Sequence, residues 1–488
     1  MPRYRSVLHC LSRFSRRYAP ESTRFCTSSN DVISLMESDL CTREDLVRRV
    51  KAPETTRLGR IATWGIAPSN AIVLILLGDL WLYLATAHDP QTESMTTTIH
   101  GAGVASLHSA EHRRAILQRR FNDRPLLVFW ELTKACDLAC RHCRADAQRN
   151  ASLGELTTAE GYQIIDELSQ FASPRPILIL TGGDCLKRPD LLELIDYAKR
   201  ASLPVALAPS VTPLLTPDTM REWRDHGVTT ASISLDGKDE QTHDGVRGVS
   251  GHFSATMTTL SALKDAGFTV QINTTIMAGN VEQLADIAAI LVAQNIDIWE
   301  VFFLVATGRG TEVGATTPQQ NEDVCHFLVD ASRYGVTVRS VEGPFLRRVT
   351  QQRHEGVTGP RTGQLYERLR QRLLYVLGDP THDPCVPSAA TRDGNGIVFV
   401  SATGDVYPSG FLPHALGNVR ESSLIALYRN APLMVSIRDA DFHGTCGRCS
   451  FKRLCGGSRS RAFATTGDAL GSDPACVMVR TPVPSRTQ

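Results

Sequence analysis

Apolar and polar positions follow a regular pattern from residue 125 onward. Short apolar runs rich in β-branched residues alternate there with segments of helical period. Helix-start signals lie between the runs: a capping box from Thr157 to Glu160, an N-cap with proline at Thr216 and Pro217, and a further N-cap at Asn280. The apolar runs that predict strands are 125–133, 176–181, 204–209, 229–235, 269–277 and 298–305. Strand–helix units joined by right-handed crossovers predict an α/β fold with a parallel sheet curled into an incomplete barrel over 125–345.

The pattern changes after the sixth predicted strand. A helix from Pro318 to Tyr334 and a short strand from Val336 to Val341 are predicted. Residues 346–384 are polar with scattered Gly, Gln and Arg, which predicts a linker between domains. Residues 385–480 begin with a hairpin-like pair of apolar runs and then become rich in cysteine, and 481–488 form a tail.

Residues 1–94 differ from the rest of the chain, and three interpretations of them stay open. Their first part is rich in arginine and lacks acidic residues, which suits a transit segment or an irregular, disordered tail. The run from Ala71 to Ala87 has the length of a short membrane span, but Asp79 near its middle is costly in lipid, so membrane association is not favoured. Because the chemistry begins only after Met95, residues 1–94 can also be an extension of the gene model, with 95–124 as a lead-in segment.

Composition and charge narrow the class of function. The chain has 488 residues, of which 42% are hydrophobic, so it is long enough for two or three domains with sizeable cores. Lys and Arg number 52 against 51 Asp and Glu, and this balance does not predict a nucleic-acid-binding surface. Thirteen cysteines are present, and seven of them fall into two tight groups. This spacing favours reduced, metal-bound thiolates in the cytoplasm over the disulfides of a secreted protein.

The first cysteine group is Cys136, Cys140 and Cys143, in a CxxxCxxC arrangement directly after the first predicted strand. Three thiolates can hold three irons of a cubane iron–sulfur cluster and leave the fourth iron open, whereas most such clusters are closed by four cysteines. The alternative is a structural zinc site, which needs four ligands. His142 adjoins Cys143 too closely for the usual spacing, and no other fourth ligand is near. The spacing therefore favours an iron–sulfur cluster with an open position.

Further polar residues and glycines lie at or near the ends of the other predicted strands. In barrels of this kind the loops at the carboxyl ends of the strands carry the chemistry, so these residues are expected to converge on one rim. Glycines permit close approach of the backbone to a ligand, and an acidic group can bond an ammonium group. The alternative for each is an ordinary turn or a surface ion pair. The residues are Gly182, Gly183 and Asp184, then Ser234 and Asp236, then Arg247, Asn273 and the segment 307–310.

The CxxxCxxC motif, placed after a first strand and within repeated strand–helix units, resembles the radical S-adenosylmethionine (SAM) superfamily. The resemblance implies a partial (β/α)6 barrel in which Cys136, Cys140 and Cys143 hold a [4Fe-4S] cluster, and SAM binds the fourth iron through its amino and carboxylate groups. One-electron reduction then yields methionine and a 5′-deoxyadenosyl radical that abstracts hydrogen from a substrate.

The same resemblance implies a set of residues that bind SAM. The glycine-rich cofactor motif of the family corresponds to residues 182–184, although it usually ends in Glu rather than Asp. Related enzymes contact the ribose or carboxylate of the cofactor from other positions. The residues implied are Gly182, Gly183, Asp184, Ser234, Asp236, Arg247 and Asn273.

The second cysteine group is Cys446, Cys449, Cys455 and Cys476. It resembles the SPASM extension of the superfamily, which carries auxiliary iron–sulfur clusters. The full pattern is broken, because Ser409 and Arg459 stand where cysteines are expected, and Cys385 is left alone as a residual ligand, a substrate-site thiol or a buried cysteine. The resemblance therefore implies one auxiliary [4Fe-4S] cluster, in a small cysteine-rich SPASM-like domain over 385–480. The alternative for the four cysteines is structural zinc.

Four stretches, 129–136, 406–411, 416–420 and 455–459, look like one branch of radical SAM proteins, which resembles peptide maturases and the radical enzymes of haem d1 and alternative haem biosynthesis. This implies an oxidoreductase that modifies a carbon–hydrogen bond of a peptide or a tetrapyrrole, with the auxiliary cluster as an electron relay. The expected partner is a one-electron reductant such as flavodoxin or ferredoxin, and no nucleic acid is expected. The alternative from another class is a zinc-stabilised, non-catalytic binding or scaffold protein.

Overall fold

A computed structural model describes residues 121–357, 359–387 and 391–479, and all of them belong to one compact unit. The expectations for residues 1–94, including the apolar run from Ala71 to Ala87, and for the tail lie outside the described residues. None of the helices in the described ranges has the length and apolar character needed to cross a membrane.

A ten-stranded sheet organises the described residues. Its strands are β1 Leu127–Glu131, β2 Ile177–Thr181, β3 Val205–Leu207, β4 Thr230–Ser234, β5 Thr269–Ile276, β6 Ile298–Phe303, β7 Thr337–Val341, β8 Ile397–Val400, β9 Asp405–Tyr407 and β10 Gly417–Asn418. Their order is β10-β9-β8-β1-β2-β3-β4-β5-β6-β7. Strands β1 to β7 pair in parallel with their neighbours along the chain, and β8 pairs in parallel with β1. The expected α/β fold with a parallel sheet is confirmed, and β1 to β6 lie within the six predicted runs.

Helices connect the parallel strands and continue after them. The α-helices are α1 Thr158–Ser169, α2 Leu191–Arg200, α3 Pro217–Asp225, α4 Glu240–Arg247, α5 His252–Asp265, α6 Leu284–Ala293, α7 Pro318–Ala331, α8 Phe345–Glu355, α9 Gln364–Leu377, α10 Leu424–Asn430, α11 Pro432–Asp439, α12 Gly444–Arg448 and α13 Arg459–Thr466. Short 3₁₀ helices span Cys185–Lys187, Val281–Gln283, Gly308–Glu312 and Ser332–Tyr334. Helix α1 begins with the predicted capping box, and Thr216 caps α3 with Pro217 in its first turn.

The two faces of the sheet differ. Along β5 every second side chain is fully buried under helices, and the residues between them are half-buried on the opposite face. This second face is concave, because the rings of Phe302 on β6 and Phe411 after β9 lie 6.1 Å apart although their strands are distant in the sheet order. The sheet is therefore curled into a partial barrel whose concave face can receive a ligand.

The segment expected to be a linker, 346–384, is largely helical. Helices α8 and α9 fill most of it, and α9 packs against α6 and α7. Leu365, Leu369 and Leu373 recur at the helical period and are buried. The polar residues of the other helix faces concealed this pattern in the sequence.

The helix expected to start at Asn280 begins instead with a 3₁₀ turn, followed by α6. The Asn280 side chain makes no cap. Its Nδ2 donates to the carbonyls of Asp236 and Thr275 at 2.9 and 2.8 Å, and its Oδ1 accepts from Met277 N. Asn280 therefore ties the end of β5 to the end of β4, where two predicted site residues lie.

The hairpin that opens the cysteine-rich segment extends the barrel sheet. Residues Leu127–Trp130 of β1 pair with Ile397–Val400 of β8. Farther along, the Arg461 guanidinium donates to the carbonyls of Phe303 and Glu342 at 3.0 and 2.9 Å. The C-terminal segment therefore continues the sheet from β1 and also contacts the ends of β6 and β7.

Candidate active site

The loop after β1 brings the three cysteines of the CxxxCxxC motif together. Cys136 and Cys140 belong to one small buried cluster, and Cys143 packs against it. The base of the loop is closed by hydrogen bonds from Cys136 N to Gln148 O at 2.7 Å and from Gln148 N to Lys134 O at 3.0 Å. All three cysteines are free thiols. The loop therefore presents three sulfur ligands at the carboxyl end of the sheet.

Arg309, in the segment after β6, holds this loop from the other side. Its Nε donates to Cys140 O at 2.9 Å, its Nη1 donates to Ala147 O at 2.9 Å, and its backbone N–H donates to Cys143 O at 3.0 Å. Three donors from one residue hold the loop carbonyls, so Arg309 positions the cysteines. The sequence placed its segment at the rim but did not single out this arginine.

Hydrogen-bond donors face the sulfur atoms. Leu138 N lies 3.4 Å from Cys136 Sγ, and Ser210 Oγ lies 3.6 Å from the same atom. Arg247 Nη1 donates to Cys140 Sγ at 3.6 Å. Burial raises the pKa of the Cys136 thiol, and the bonds from Leu138 and Ser210 offset part of that rise. Donors aimed at sulfur suit thiolates that ligate metal, and the buried His142 Nδ1 and Arg247 Nε beside them lack hydrogen-bond partners in the described residues.

Gly182 and Gly183 lie directly against the segment that leads into the cysteine loop. Gly183 N donates to Thr133 O at 2.8 Å, and Asp184 N donates to Ala135 O at 2.7 Å. A Cβ on Gly183 would lie 2.5 Å from Ala135 O. The two glycines therefore allow the loop after β2 to lie close to the segment that leads into Cys136. The sequence had predicted only that they let the backbone approach a ligand.

The Asp184 carboxylate is fully buried and points to protein partners. It accepts hydrogen bonds from Thr212 Oγ1 at 2.9 Å and from the backbone N–H groups of Leu186 and Ser210 at 3.2 and 3.3 Å. Burial raises its pKa, and these hydrogen bonds offset part of the rise. Asp184 therefore ties the loop after β2 to the segment after β3.

Asp236 and Arg247 form a buried ion pair. The other carboxylate oxygen of Asp236 accepts from Thr275 N at 2.7 Å, and His142 Nε2 lies 3.6 Å from the carboxylate. Burial alone would raise the pKa of Asp236, but the charge of Arg247, together with those of His142 and His243 and the hydrogen bond from Thr275, outweighs it and the pKa is lowered. Burial lowers the pKa of His142 to about 4. Arg247 thus links a cysteine sulfur to a carboxylate, as outer partners of metal ligands do.

Ser234 and Asn273 lie side by side on the concave face. They are directly paired across β4 and β5, and the same row continues to Glu300 on β6 and Arg339 on β7. All four side chains are half-buried. Gln271 Nε2 donates to Asn273 Oδ1 and to Glu300 Oε2, at 2.8 Å each. Glu300 and Arg339 were not predicted as site residues, since their only signal in the sequence is a charged residue within each apolar strand.

Aromatic rings and a further arginine line the concave face beside the cysteine loop. The Arg144 guanidinium lies 4.5 Å from the centre of the Phe399 ring and 5.8 Å from that of Phe411. Its Nη1 donates to Glu131 Oε2 at 3.3 Å and to Gly410 O at 3.4 Å. Arg144 therefore connects the cysteine loop to the C-terminal segment.

The cysteines of the second group line one cavity. Cys446 Sγ accepts from Asp473 N at 3.4 Å and from Arg459 Nη2 at 3.7 Å, and Cys449 Sγ accepts from Phe451 N at 3.4 Å. Burial raises the pKa of the Cys455 thiol to about 11 and that of Cys476 to about 12. The four residues brought together are Cys446, Cys449, Cys455 and Cys476.

Buried guanidinium groups surround this second group. Arg348 lines the same cavity, and Arg392 and Arg459 are buried nearby. Burial, together with the neighbouring charges of Arg347 and Arg459, lowers the pKa of Arg392 to about 9. Arg392 Nε has no hydrogen-bond partner in the described residues. Four sulfur ligands among buried cations fit an anionic iron–sulfur cluster.

Ser409 and Arg459, which stand where cysteines were expected, make polar contacts with the protein. Ser460 Oγ lies 3.1 Å from Ser409 Oγ, 3.1 Å from Glu342 Oε1 and 3.0 Å from Asp393 Oδ2, so its single O–H is shared among these contacts. The Arg459 guanidinium is fully buried and donates to Gly471 O at 2.6 Å. The side chains of Ser409 and Arg459, which occupy the positions of the two expected cysteines, are therefore hydrogen-bonded to the protein.

Cys385 does not join the second cysteine group. It is exposed beside β7, where Thr337 Oγ1 lies 3.6 Å from its sulfur. The alternative that it is a buried cysteine is wrong. In the described ranges no three or more His, Cys, Asp or Glu side chains are arranged to hold a single metal ion, whereas in a cubane cluster each cysteine binds a different iron.

Comparisons with known proteins agree with this architecture. The family model of the radical SAM superfamily matches residues 130–292. An AdoMet-dependent heme synthase of Methanosarcina barkeri is 35% identical over 357 residues, which cover 72% of this chain and 96% of that protein. The mycofactocin maturase MftC of Mycobacterium tuberculosis is 29% identical over 73% of this chain and 83% of its own length. The expected resemblance to haem-pathway and maturase enzymes is confirmed.

A solved structure shares the fold. SuiB of Streptococcus suis, bound to precursor peptide SuiA, aligns over 84% of this chain and 89% of that chain, with a TM-score of 0.55 and 15% sequence identity. The zinc-stabilised scaffold is not favoured by any of these similarities. Family membership implies SAM and a [4Fe-4S] cluster as cofactors. The cysteine loop and the 35% identity along nearly the whole heme synthase together establish that this chain belongs to the radical SAM superfamily and is an enzyme.

Proposed function

We propose that this enzyme modifies a carbon–hydrogen bond of a tetrapyrrole that bears carboxylate side chains. The observation that carries the proposal is the composition of the concave face, where aromatic rings and guanidinium groups lie beside the cysteine loop. The half-buried rings of Phe302 and Phe411 offer flat apolar surfaces to a macrocycle, and Arg144 and Arg339 offer cations to carboxylates. The similarity to AdoMet-dependent heme synthases supports this substrate class.

The residues suited to the radical-forming cofactor lie in the loop after β1. Cys136, Cys140 and Cys143 would hold the [4Fe-4S] cluster, with Arg247 donating to a sulfur. When bound, the cluster and SAM supply a 5′-deoxyadenosyl radical that removes a hydrogen atom from the substrate. The half-closed barrel keeps bulk water away from that position.

The residues predicted from the sequence to bind SAM fall into two groups, according to whether they already have protein partners. The backbone of Gly182 and Gly183 and the half-buried side chains of Ser234 and Asn273 remain available to the cofactor. Asp184, Asp236 and Arg247 already have buried protein partners, so they position the loops that hold it. These assignments predict direct contacts for the first group and supporting roles for the second.

We assign Cys446, Cys449, Cys455 and Cys476 to one auxiliary [4Fe-4S] cluster, which would serve as an electron relay. The buried arginines around the four thiols support an anionic group there. The hydrogen bonds of Ser409 and Arg459 support a single auxiliary site. The proposed partner is a one-electron reductant such as flavodoxin or ferredoxin.

A peptide is the second candidate substrate. It is favoured by the fold shared with SuiB, which was solved with precursor peptide SuiA, and by the similarity to the maturase MftC. The two candidates differ in what should increase 5′-deoxyadenosine formation. A propionate-bearing iron porphyrin should do so under the first proposal, and a precursor peptide under the second.

The test is anaerobic reconstitution followed by iron and sulfide analysis and a 5′-deoxyadenosine assay. We expect about eight irons per chain, as for two cubanes. Cys143→Ala should abolish SAM cleavage, because it removes a ligand of the first cluster. Cys449→Ala should lose about half of the iron and all substrate turnover but retain SAM cleavage.

Cys385→Ser is the matched control, since this cysteine is exposed and apart from both groups. It should keep the wild-type iron content and activity. Unchanged SAM cleavage in Cys143→Ala would contradict the cluster assignment. Stoichiometric zinc without sulfide would support the scaffold alternative.

A further inference from the structure

One row of side chains on the concave face is polar across four strands. It runs from Ser234 through Asn273 and Glu300 to Arg339, each directly paired with the next across the parallel strands. On β6 the neighbours of Glu300 along the strand, Trp299 and Val301, are fully buried on the helix side. The row therefore faces the chamber that the sheet encloses.

Arg339 is half-buried and, unlike the buried arginines near the two cysteine groups, has no close protein partner among the described residues. Arg247 pairs with Asp236, Arg348 with Glu322 and Arg461 with Asp473, to list only the buried pairs. Arg339 makes no hydrogen bond and no ion pair within 4.0 Å in the described part of the chain. Its one recorded interaction is the longer-range attraction to Glu300.

Glu300, which is paired with Arg339 across β6 and β7, makes no close ion pair with it. Burial raises the pKa of Glu300, and the attraction of Arg339 and the hydrogen bond from Gln271 offset only part of the rise. The Glu300 carboxyl also already accepts from Gln271 Nε2 at 2.8 Å. A half-buried guanidinium that makes no hydrogen bond or ion pair favours an incoming anion.

Asn273, two strands away in the same row, remains assigned to the cofactor. It accepts the Gln271 amide through Oδ1, which leaves its Nδ2 hydrogens for SAM. A guanidinium matches a carboxylate with two parallel hydrogen bonds. We propose that Arg339 forms a subsite that binds a carboxylate side chain of the substrate. This inference rests on the proposed tetrapyrrole function and names the group that the enzyme recognises.

A carboxylate in this chamber has two sources, the substrate and the methionine part of SAM. The proposal commits to the substrate, because Arg339 lies on β7, three strands beyond β4, whose end carries Ser234 and Asp236. The experiment must therefore measure the binding of both ligands.

The test uses the anaerobically reconstituted full-length enzyme and absorbance titration with an iron porphyrin that carries propionate side chains. The second probe is the same porphyrin with its propionates esterified. Arg339→Gln should weaken binding of the acid by about tenfold or more, since a hydrogen-bonded charge pair is lost, and leave binding of the ester and of SAM unchanged. Arg339→Lys should recover part of the affinity, because it keeps the charge without the fork.

The control is Arg221→Gln, which removes an exposed arginine from α3 and should leave the affinities for all ligands unchanged. Iron content and thermal stability are measured for each variant, so that a folding defect is recognised. Equal affinity of wild type and Arg339→Gln for the acid would overturn the subsite alone. Weaker SAM binding with unchanged porphyrin binding would assign the guanidinium to the cofactor and overturn it as well. If the wild type binds neither porphyrin, the tetrapyrrole proposal fails together with the subsite.

Discussion

Glu300 lies within an apolar strand, and its ionisation opposes folding. Its pKa in the folded protein is above the ordinary value of 4.5, because burial disfavours the charged form. The protonated Glu300 carboxyl therefore contributes most to the free energy of unfolding below pH 4.5. This contribution is lost as the pH rises through the pKa of the folded state. Glu300→Gln cannot ionise, so its thermal midpoint should rise relative to wild type as the pH increases above 4.5.

The neighbouring arginine provides the control for this prediction. Arg339 is the charge that offsets part of the effect of burial on Glu300. In an Arg339→Gln background, the gain from Glu300→Gln should therefore be larger at neutral pH than in the wild type. Thermal unfolding of the four proteins across the pH range measures both effects. Stability curves of wild type and Glu300→Gln that stay parallel with pH would refute the argument.

At the residue scale the sequence identified Asp184 and Asp236 but not what they contact. Their positions after β2 and β4 follow from the apolar runs before them. Their partners, such as Thr212 and Thr275, come from other loops and strands, and no local pattern specifies such contacts. Arg339 was missed for the same reason, because only the pairing of β6 with β7 places it beside Glu300.

At the element scale, the close contact between the loop after β2 and the cysteine loop makes a sharp prediction for Gly183. Its replacement by Ala would put a Cβ 2.5 Å from Ala135 O and 2.7 Å from Lys134 O. Both atoms are backbone, so the segment that leads into Cys136 must shift. We expect a loss of about 1–3 kcal/mol in the free energy of unfolding, with loss of iron from the first cluster.

Gly279→Ala is the control for this element. Gly279 follows β5, is exposed, and has no atom within 4 Å of the Cβ that alanine would add. Its iron content and denaturation midpoint should match those of the wild type. Iron analysis and urea denaturation of the two variants make the comparison, and full iron content in Gly183→Ala would show that the two loops adjust independently.

The sequence predicted those elements whose apolar residues form uninterrupted runs. Strands β1 to β6 are of this kind, and helices α1 and α3 carry clear cap signals. Helix α9 was assigned to a linker, because its buried stripe of leucines is narrow and the rest of its surface is charged. The second cysteine group was recognised from its spacing, but its buried arginines are brought there by distant segments.

At the scale of the whole molecule, the barrel and the cysteine-rich segment share one sheet. Strand β8 pairs with β1, so β1 lies between β2 and β8 and has no free edge along Leu127–Trp130. Val398 and Val400 of β8 are fully buried in the same core as the barrel strands. A substitution that destabilises one segment should therefore also lower the free energy of unfolding of the other. Independently folding domains would unfold separately.

Val398→Ala tests this coupling. The substitution removes buried methyl groups from β8 and should cost about 2 kcal/mol. Because the sheet unfolds as one unit, the same loss should appear as faster hydrogen exchange in denaturant for peptides that contain β4 and β5, which are remote from β8 in the sheet order. Val435→Ala, a more exposed valine on α11 of the same segment, should leave that exchange unchanged. If exchange in β4 and β5 is insensitive to Val398→Ala, the cysteine-rich segment folds independently of the barrel.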